Sequence, residues 1–396
     1  MAYRFLTLVV ALCCCNDVVY TQEFRTLVQG VEYVQFTKQV KGISETQANV
    51  MLPVIVYALR IDGEKARLQL VHAKDAAIGV ETTSQLANRY NALAAVNAGF
   101  FRMTGATAGD AAGILQIAGK LLSEPFKERA ACGFSDRNDR MFAFFGNAKW
   151  RGEVMLGNSI VLTEPLQKIL YERTALTGIN RQREANDMLL FTPEFHRTTL
   201  TNQHGLEIIV ENNGVREVRD SVGSSIIPTN GAVISCSGAA RVWAKEHIRP
   251  GTPITLLSEL EGADARQTRR FRNAQYIVGG VSQLLTEGAI TLTWQREGAT
   301  EDFALGRHPR TAIGKMPDGR LLLVAVDGRQ LGVSHGMTLQ ELAEFMKELG
   351  ATDAMNLDGG GSTTMVVNGI IQNKPSDATG ERPVSDAILV FPRKKN

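Results

Sequence analysis

The sequence predicts an α+β fold, a single domain with mixed, mainly antiparallel sheets and a few helices. Short apolar runs bounded by turn pairs such as Asp62-Gly63 and Asn213-Gly214 recur along most of the chain, as is typical of strands. Apolar residues at helical spacing are confined to a few segments. No Pro- or Ser-rich linker divides the 396 residues, and 44% of them are hydrophobic, which is enough to form a core.

The N-terminus carries the pattern of a secretory signal. Arg4 precedes an apolar run over residues 5–15, and polar residues follow up to Gln22. The run is too short to span a membrane, so residues 1–22 are predicted to be a signal peptide and the protein to be secreted or periplasmic. The three cysteines that begin at Cys13 suggest a lipid anchor as the alternative. Leu12 is not the small residue that such processing prefers, so soluble export without stable membrane insertion is favoured.

Composition excludes several classes of partner. A net charge of +2 gives no reason to expect nucleic acid. The chain has six His and neither a CxxC nor an HExxH motif, so no metal and no cofactor is predicted. Beyond the signal, only Cys132 and Cys236 remain, and they form either one disulfide or two buried thiols.

The first third of the chain supplies two candidate site residues. Residues 23–50 are predicted to be an N-terminal arm or first strand, and the domain proper to span 51–396. Strands over 51–59 and 66–72, a helix over 83–90 and a buried strand over 93–96 follow. Asn97 ends that buried strand, and its amide offers a donor and an acceptor to a sugar hydroxyl, although a turn-forming Asn fits equally well. Arg181, which follows another apolar segment, is a candidate anion clamp with a solvated surface Arg as the alternative.

Four segments in the last third place charged residues at predicted strand ends. Residues 307–311 precede one strand, an apolar strand over 321–326 leads into Asp327-Gly328-Arg329, and residues 381–386 precede the last strand. The fourth segment is a glycine turn, Asn356-Leu357-Asp358-Gly359-Gly360-Gly361-Ser362, where three glycines indicate unusual dihedrals or close approach of a ligand. A helix over 338–349, with Thr338 and Glu341 as a capping box, precedes this turn.

These segments predict an anion site beside a carboxylate pair. Asp327 and Asp358 are the residue type that breaks a glycosidic bond by acid and base or nucleophile chemistry. The guanidinium fork suits phosphate oxygens, so Arg310, Arg329 and Arg382 are candidate phosphate ligands, with salt bridges to the acids as the alternative. Further candidate ligands lie on the glycine turn: its backbone N–H groups as an anion nest, and the residues Asn356, Gly359, Gly360 and Ser362.

The same segments resemble the phosphodiester glycosidase family. The matching pieces stand in the family's order: residues 97–101, 178–181, 310–314, 326–329, Ser334 with Gly336, 356–362 and 382–385. The resemblance implies hydrolysis of a glycosyl-1-phosphodiester, such as an N-acetylglucosamine-1-phosphodiester, with release of the sugar. It implies Asp358 and Asp327 as catalytic residues, the three arginines on the phosphate, and Asn97, Arg181, Asn356 and Ser362 around the sugar.

Two other functions stay open at this stage. One is a non-catalytic glycan-binding or exopolysaccharide-processing protein on the same scaffold, which would bind sugar without turnover. The other is a phosphodiesterase that cuts the P–O bond, for which clustered metal ligands are expected. A glycan or sugar-phosphodiester substrate is the partner common to the first two.

Overall fold

The computed structural model describes residues 23–43, 48–157, 160–163, 166–169 and 172–393. The predicted signal peptide, residues 1–22, lies outside the described residues. Within the described residues, no helix has the length and apolar character needed to cross a membrane.

Strands make up most of the regular structure. In chain order they are β1 (Arg25–Val28), β2 (Val31–Ile43), β3 (Ala48–Ile61), β4 (Ala66–His72), β5 (Ala94–Asn97), β6 (Leu115–Ile117), β7 (Lys120–Ser123), β8 (Ala130–Arg137), β9 (Arg140–Asn147), β10 (Lys149–Leu156), β11 (Ile160–Thr163), β12 (Leu166–Ile169), β13 (Glu172–Ala175), β14 (Gly178–Ile179), β15 (Met188–Phe191), β16 (Leu206–Glu211), β17 (Gly214–Asp220), β18 (Gly231–Cys236), β19 (Ile254–Glu261), β20 (Tyr276–Gly279), β21 (Gln283–Thr286), β22 (Ala289–Ile290), β23 (Arg310–Lys315), β24 (Leu321–Val326), β25 (Asp353–Asn356), β26 (Met365–Val367), β27 (Ile370–Ile371) and β28 (Asp386–Pro392). The helices are α1 (Thr83–Arg89), α2 (Gly238–His247), α3 (Ala265–Arg272), α4 (Glu301–Leu305) and α5 (Leu339–Glu348), with short 3-10 turns at Ala73–Asp75 and Gly360–Ser362.

The two sheets that position the candidate site share one core. An eight-stranded sheet has the order β1-β2-β3-β24-β23-β25-β21-β22, and a five-stranded sheet has the order β27-β26-β5-β28-β4. Leu59, Leu323 and Ile313 of the first sheet are buried in one cluster with Val96 and Ile388 of the second. Apolar burial of this kind is worth about 1.5–3 kcal/mol for each large side chain, so it holds the two sheets in a fixed relation.

The opposite face of the eight-stranded sheet is covered by α5. Leu339, Leu342 and Met346 of this helix are buried against that face. The Thr338 side chain accepts a hydrogen bond from the backbone N–H of Glu341, whose side chain accepts one from the Thr338 backbone, so the predicted capping box is confirmed. The position of this helix therefore fixes the start of β25, and the glycine turn follows β25 directly.

The remaining strands form smaller sheets, one of which covers a separate core. These have the orders β14-β15-β18-β16-β17, β7-β6-β20-β8-β9, β13-β10-β19 and β11-β12. Cys236 is buried in the cluster beneath the first of them, whereas Cys132 belongs to the main core, and both thiols are free. The alternative of two buried thiols therefore holds.

The predicted combination of mainly antiparallel sheets with a few helices is confirmed, and strands make up most of the regular structure. Among the described strand pairs only β14 and β15 run parallel. Residues of the predicted arm form β1 and β2, which extend the eight-stranded sheet through antiparallel pairing of β2 with β3. The turn pair Asn213-Gly214 lies where β16 and β17 pair as an antiparallel hairpin.

Candidate active site

The candidate site lies where strand ends of the two packed sheets meet. β24 ends before Asp327, β23 begins at Arg310, and β25 ends at Asn356 in the eight-stranded sheet. In the five-stranded sheet, β5 ends at Asn97 and β28 begins at Asp386. The glycine turn joins these edges, since the Asp358 N–H donates to the Ala98 carbonyl at 2.9 Å and the Gly360 N–H to the Pro309 carbonyl at 2.9 Å.

Glycine is required in this turn because two guanidinium groups lie against it. Gly360 has a φ of +60°, and a Cβ there would lie 3.2 Å from Nη2 of Arg329. A Cβ on Gly361 would lie 2.2 Å from Nη2 of Arg382. Any side chain at Gly361 would therefore displace the Arg382 guanidinium from the turn.

The turn does not form the predicted nest of free N–H groups. The Gly359 N–H donates to Oδ1 of Asp358 at 2.9 Å, and the Ser362 N–H donates to the Gly359 carbonyl at 3.1 Å. Together with the Gly360 bond to Pro309, three of the four N–H groups are engaged within the protein. An anion beside this turn would therefore depend on the arginines.

Asp358 is partly buried, and its protonation is poised near neutral pH. Burial raises the pKa of its carboxyl to about 7, against the opposing effects of the Ser362 hydroxyl, the Gly359 N–H and the charge of Arg382. The negative charge of Asp386 raises this pKa further. A carboxyl group with such a pKa can donate or accept a proton at neutral pH.

A second buried acid, Asp386, bonds the same segment after β5 as Asp358 does, and the sequence analysis did not select it. Asp386 is 1% exposed, and its two oxygens accept hydrogen bonds from the Gly99 N–H and the Ser385 hydroxyl, each at 2.5 Å. Burial raises the pKa of Asp386, whereas the charge of His72 and these two hydrogen bonds lower it. In the sequence, Asp386 shows only as an acid at the start of the last strand, two residues after an apolar position, which is a weak signal.

Asp327 lies in a different set of contacts. Its carboxylate accepts hydrogen bonds from the Tyr57 hydroxyl at 3.1 Å and from the Lys374 N–H at 2.9 Å, and Asn373 approaches at 3.4 Å. Its carbonyl accepts from the Ser334 hydroxyl at 2.7 Å. Burial raises the pKa of Asp327, and the hydrogen bonds from Lys374, Tyr57 and Asn373 oppose this effect. These contacts tie the end of β24 to the loop that carries Asn373 and Lys374.

The predicted arginines fall into three environments. Arg329 is exposed, has a φ of +60°, lies against Gly360, and approaches Nδ1 of His308 at 3.4 Å. Arg382 lies against Gly361 and holds Asp377 through two hydrogen bonds of 2.7 and 3.0 Å. A left-handed conformation is unfavourable for Arg, which makes Arg329 a candidate functional residue. These two side chains border the glycine turn that carries Asp358.

Arg310 and Arg181 are engaged with other parts of the protein. Arg310 is 1% exposed and donates to the carbonyls of Met337, Phe303 and Gly306 at 2.9, 2.6 and 3.1 Å. Burial and the charge of Arg329 lower its pKa. Arg181 forms salt bridges of 2.9 Å with Glu124 and 2.8 Å with Asp187, on the loop after β14. No recorded contact links Arg181 to the glycine turn among the described residues.

The polar residues predicted for the sugar pocket hold the turn in place. The Asn97 amide donates to the Asp358 carbonyl at 2.7 Å and accepts from the Thr311 hydroxyl at 2.7 Å and the Thr364 N–H at 3.1 Å. Asn356 is fully buried and donates to the carbonyls of Val281 and Leu357. Ser362, also buried, lies beside the Asp358 carboxyl.

Most of these residues lie within a match to a known family. The family model described as phosphodiester glycosidase matches residues 204–391, which include Arg310, Asp327, Arg329, Asp358 and Arg382. The similarity to the phosphodiester glycosidase family is therefore established over residues 204–391, just under half of the chain. The matched range also includes Asp386.

Curated relatives carry the name N-acetylglucosamine-1-phosphodiester alpha-N-acetylglucosaminidase. The mouse protein is 32% identical over 181 residues, which cover 43% of this chain and 33% of the relative. The human protein is 34% identical over 139 residues, covering 33% of this chain and 26% of the relative. The chain therefore spans about a third or less of the length of these relatives.

Solved structures match over most of the chain. A Burkholderia pseudomallei protein described as a candidate exported protein is 26% identical, with a TM-score of 0.72 over 86% of this chain and 74% of that chain. A hypothetical protein from Synechocystis is 23% identical, with a TM-score of 0.73 over 92% of this chain and 62% of that chain, and it shows the fold alone.

Proposed function

We propose that this protein is a glycosidase that hydrolyses a glycosyl-1-phosphodiester and releases the sugar. The observation that carries the proposal is a carboxyl with a pKa of about 7, that of Asp358, on a glycine turn with two guanidinium groups packed against it. A proton donor beside cationic groups suits a bond between a sugar carbon and a phosphate oxygen. The description of the matching family and the names of the mouse and human relatives support the same reaction.

The arginines supply the phosphate-binding part of the proposal. Arg329 is exposed and forms no salt bridge with a described residue, so its positive charge is available to a substrate anion. Arg382 is pre-oriented by its two hydrogen bonds to Asp377 and directs its charge at both the turn and Asp358. Phosphate oxygens bound by these side chains would bring the bridging oxygen to Asp358.

Asp358 acts as the general acid in this scheme. The C1–O bond breaks, its electron pair stays on the phosphate oxygen, and that oxygen receives the proton of Asp358. Water adds to C1 and releases one proton, which restores Asp358 over the full cycle. Because phosphate is a stable anion, the need for this proton depends on the leaving group, so poor leaving groups depend on Asp358 the most.

The other predicted residues have supporting roles in the proposal. Asp327 braces the loop that follows β24, and Arg310 fixes the carbonyls before β23. Asn97 and Asn356 hold the turn in the position that presents Asp358. We assign Arg181 to a structural ion-pair cluster.

The cellular location is also a proposal. We propose export of the protein, on the basis of the predicted signal peptide and the similarity to a candidate exported protein from Burkholderia pseudomallei. Measuring the fraction of full-length protein outside the cytoplasm, before and after deletion of residues 2–15, tests this.

The reaction is tested by product analysis on UDP-N-acetylglucosamine. We expect the wild type to release free N-acetylglucosamine and UDP in equal amounts, and Asp358→Asn to lose at least about a hundredfold in kcat. Asp327→Asn is the matched control, because it neutralises another buried carboxyl nearby in sequence and is expected to stay within about tenfold of the wild type. If no sugar phosphodiester turns over while sugar still binds, the glycan-binding alternative replaces the proposal.

A further inference from the structure

Arg129 is a half-buried cation that forms no salt bridge with a described residue. Its Nη1 donates to the Ala112 carbonyl at 2.6 Å, and its Nε is buried without a hydrogen-bond partner in the described part of the chain. Burial takes a charged group out of water, so such groups are normally paired with an opposite charge. The guanidinium therefore keeps donors and charge for an anion that the chain itself does not supply.

A second cation lies over the same aromatic ring as Arg129. The ring of Phe126 is 47% exposed, and its centroid lies 4.9 Å from Cζ of Arg129 and 5.3 Å from Nζ of Lys127. Lys127 is exposed and has a φ of +52°, a left-handed conformation that is unfavourable for residues with a side chain. We call Phe126, Lys127 and Arg129 the basic corner.

The basic corner is joined to the candidate site by the hairpin over residues 100–112. Cζ of Arg129 lies 5.8 Å from the ring centroid of Phe100, and its Nη1 bonds the carbonyl of Ala112. These two anchors are paired, since the Ala112 N–H donates to the Phe100 carbonyl at 2.7 Å. The Asp358 N–H donates to a carbonyl only two residues before Phe100. The hairpin therefore begins at the segment that holds the proposed acid and contacts Arg129.

The same hairpin also contacts an arginine of the glycine turn. Nη1 of Arg382 lies 3.7 Å from Sδ of Met103, which is in the hairpin. Met103 is 62% exposed, so this contact is at the surface and not in the core. One short hairpin thus has Arg382 at one contact and Arg129 at another, which places two groups of cations along one surface.

We propose that Arg129 and Lys127 bind a second anionic group of the substrate, separate from the phosphate assigned to Arg329 and Arg382. The substrate class is then a glycosyl phosphodiester with an additional oxyanion, either a second phosphate on the leaving group or a carboxylate on the glycan. A guanidinium fork and an ammonium point charge suit oxygen anions of both kinds. This choice of substrate rests on the proposed function, whereas anion binding by the basic corner does not.

Two acids are candidates to neutralise the basic corner, and both are engaged elsewhere. Glu124, in the same loop, forms a 2.9 Å salt bridge with Arg181. Glu297 is fully buried, and its Oε1 accepts from the Thr293 hydroxyl and, at 3.4 Å, from the Gln283 N–H. Neither forms a salt bridge with Arg129 in the described structure, so the corner keeps its positive charge.

The first test is calorimetric titration of the full chain with inorganic phosphate at low ionic strength. We expect the wild type to bind two phosphate ions, and Arg129→Gln and Arg329→Gln to lose one each. Lys127→Gln removes only an exposed charge and should weaken one of the two sites about threefold or more, so it decides the matter if Arg129→Gln does not fold.

Arg140→Gln is the matched control for this titration. Arg140 also lies over an exposed ring, with its Cζ 5.7 Å from the centroid of Phe142, but on β9. We expect this variant to keep both phosphate sites. Phosphate binding that is unchanged in both Arg129→Gln and Lys127→Gln overturns the proposal. This measurement needs no turnover, so it stands apart from the proposed reaction.

The second test compares KM for three substrates. These are UDP-N-acetylglucosamine, the methyl phosphodiester of N-acetylglucosamine-1-phosphate, and the methyl phosphodiester of glucuronic acid-1-phosphate. Arg129→Gln should raise KM for one substrate with a second anion about tenfold more than for the neutral sugar's methyl phosphodiester. A selective rise with the UDP-sugar identifies the leaving-group phosphate, and a selective rise with the glucuronic acid substrate identifies the carboxylate.

The remaining outcomes of this comparison are also decisive. A rise in KM that is equal for all three substrates overturns the proposal, because Arg129 then acts on the phosphate that they share. The absence of any rise overturns it as well. If phosphate titration behaves as expected but none of the three substrates is hydrolysed, the second anion site stands and the proposed function fails.

Discussion

Replacing Asp358 by Asn should stabilise the folded protein, and the gain should grow with pH. The pKa of Asp358 is raised to about 7 in the folded chain, from an unfolded value of about 3.9. The folded state therefore holds a proton that the unfolded state releases between these values. Asp358 contributes its full stability below about pH 4 and loses it as the pH rises through about 7.

The magnitude follows from the difference between the two pKa values. A separation of about three pH units corresponds to about 4 kcal/mol at 1.36 kcal/mol per unit. Asp358 keeps some contact with solvent, so we expect Asp358→Asn to gain about 2–4 kcal/mol over wild type at pH 8. At pH 4, where the folded wild type is protonated and neutral like Asn, the difference should be under about 1 kcal/mol.

Urea unfolding at pH 4 and pH 8 measures this, with the free energy of unfolding taken from linear extrapolation. Asp318→Asn is a suitable control, because Asp318 is an exposed acid whose pKa is lowered by the Arg320 N–H and side chain, so its loss should not stabilise the protein at high pH. An equal free-energy difference between Asp358→Asn and wild type at both pH values would refute the reasoning, because the carboxyl would then not be held protonated.

Three further predictions concern the same site. The kcat/KM of the wild type should fall as the pH rises above about 7, where Asp358 loses its proton, and this alkaline limb should vanish in the residual activity of Asp358→Asn. Arg329→Gln should raise KM for a sugar phosphodiester about tenfold or more without unfolding the protein, as steady-state kinetics and thermal melting would show; an unchanged KM would remove Arg329 from the phosphate site. Asn97→Ala should lower the free energy of unfolding in urea by about 3 kcal/mol or more, because it leaves three hydrogen-bond partners unpaired. Asn88→Ala, on the exposed face of α1, should change this free energy little. A small loss of stability together with a raised KM would instead indicate that Asn97 binds the sugar.

Local features of the fold were predictable because they depend on neighbours in sequence. The capping box of α5 is set by Thr338 and Glu341, three residues apart, and its apolar face by helical spacing. The strand before Asp327 is an uninterrupted apolar run, and β24 occupies it. The sequence therefore predicted correctly which charged residues lie at strand ends. It did not predict the distances between their side chains.

The pairing of strands that lie far apart in sequence, and the side chains that this pairing brings together, could not be predicted in this way. Asp386 and Asp358 both bond to residues 98–99 because β28 pairs with β5 as well as β4, and these pairings join residues about three hundred positions apart. The environment of Arg310 was equally hidden. An Arg before an apolar strand has the pattern of a ligand-binding residue, yet backbone carbonyls from α4 and the loop before α5 engage its guanidinium.

The most direct test of the central claim is the fate of water oxygen during hydrolysis of a sugar-1-phosphodiester in H2(18)O. Mass spectrometry of the products under single turnover locates the label. We predict 18O in the free sugar and none in the phosphate product, because the C1–O bond breaks and water adds to C1. Label in the phosphate product would show that the P–O bond breaks, and would contradict a glycosidase built around Asp358.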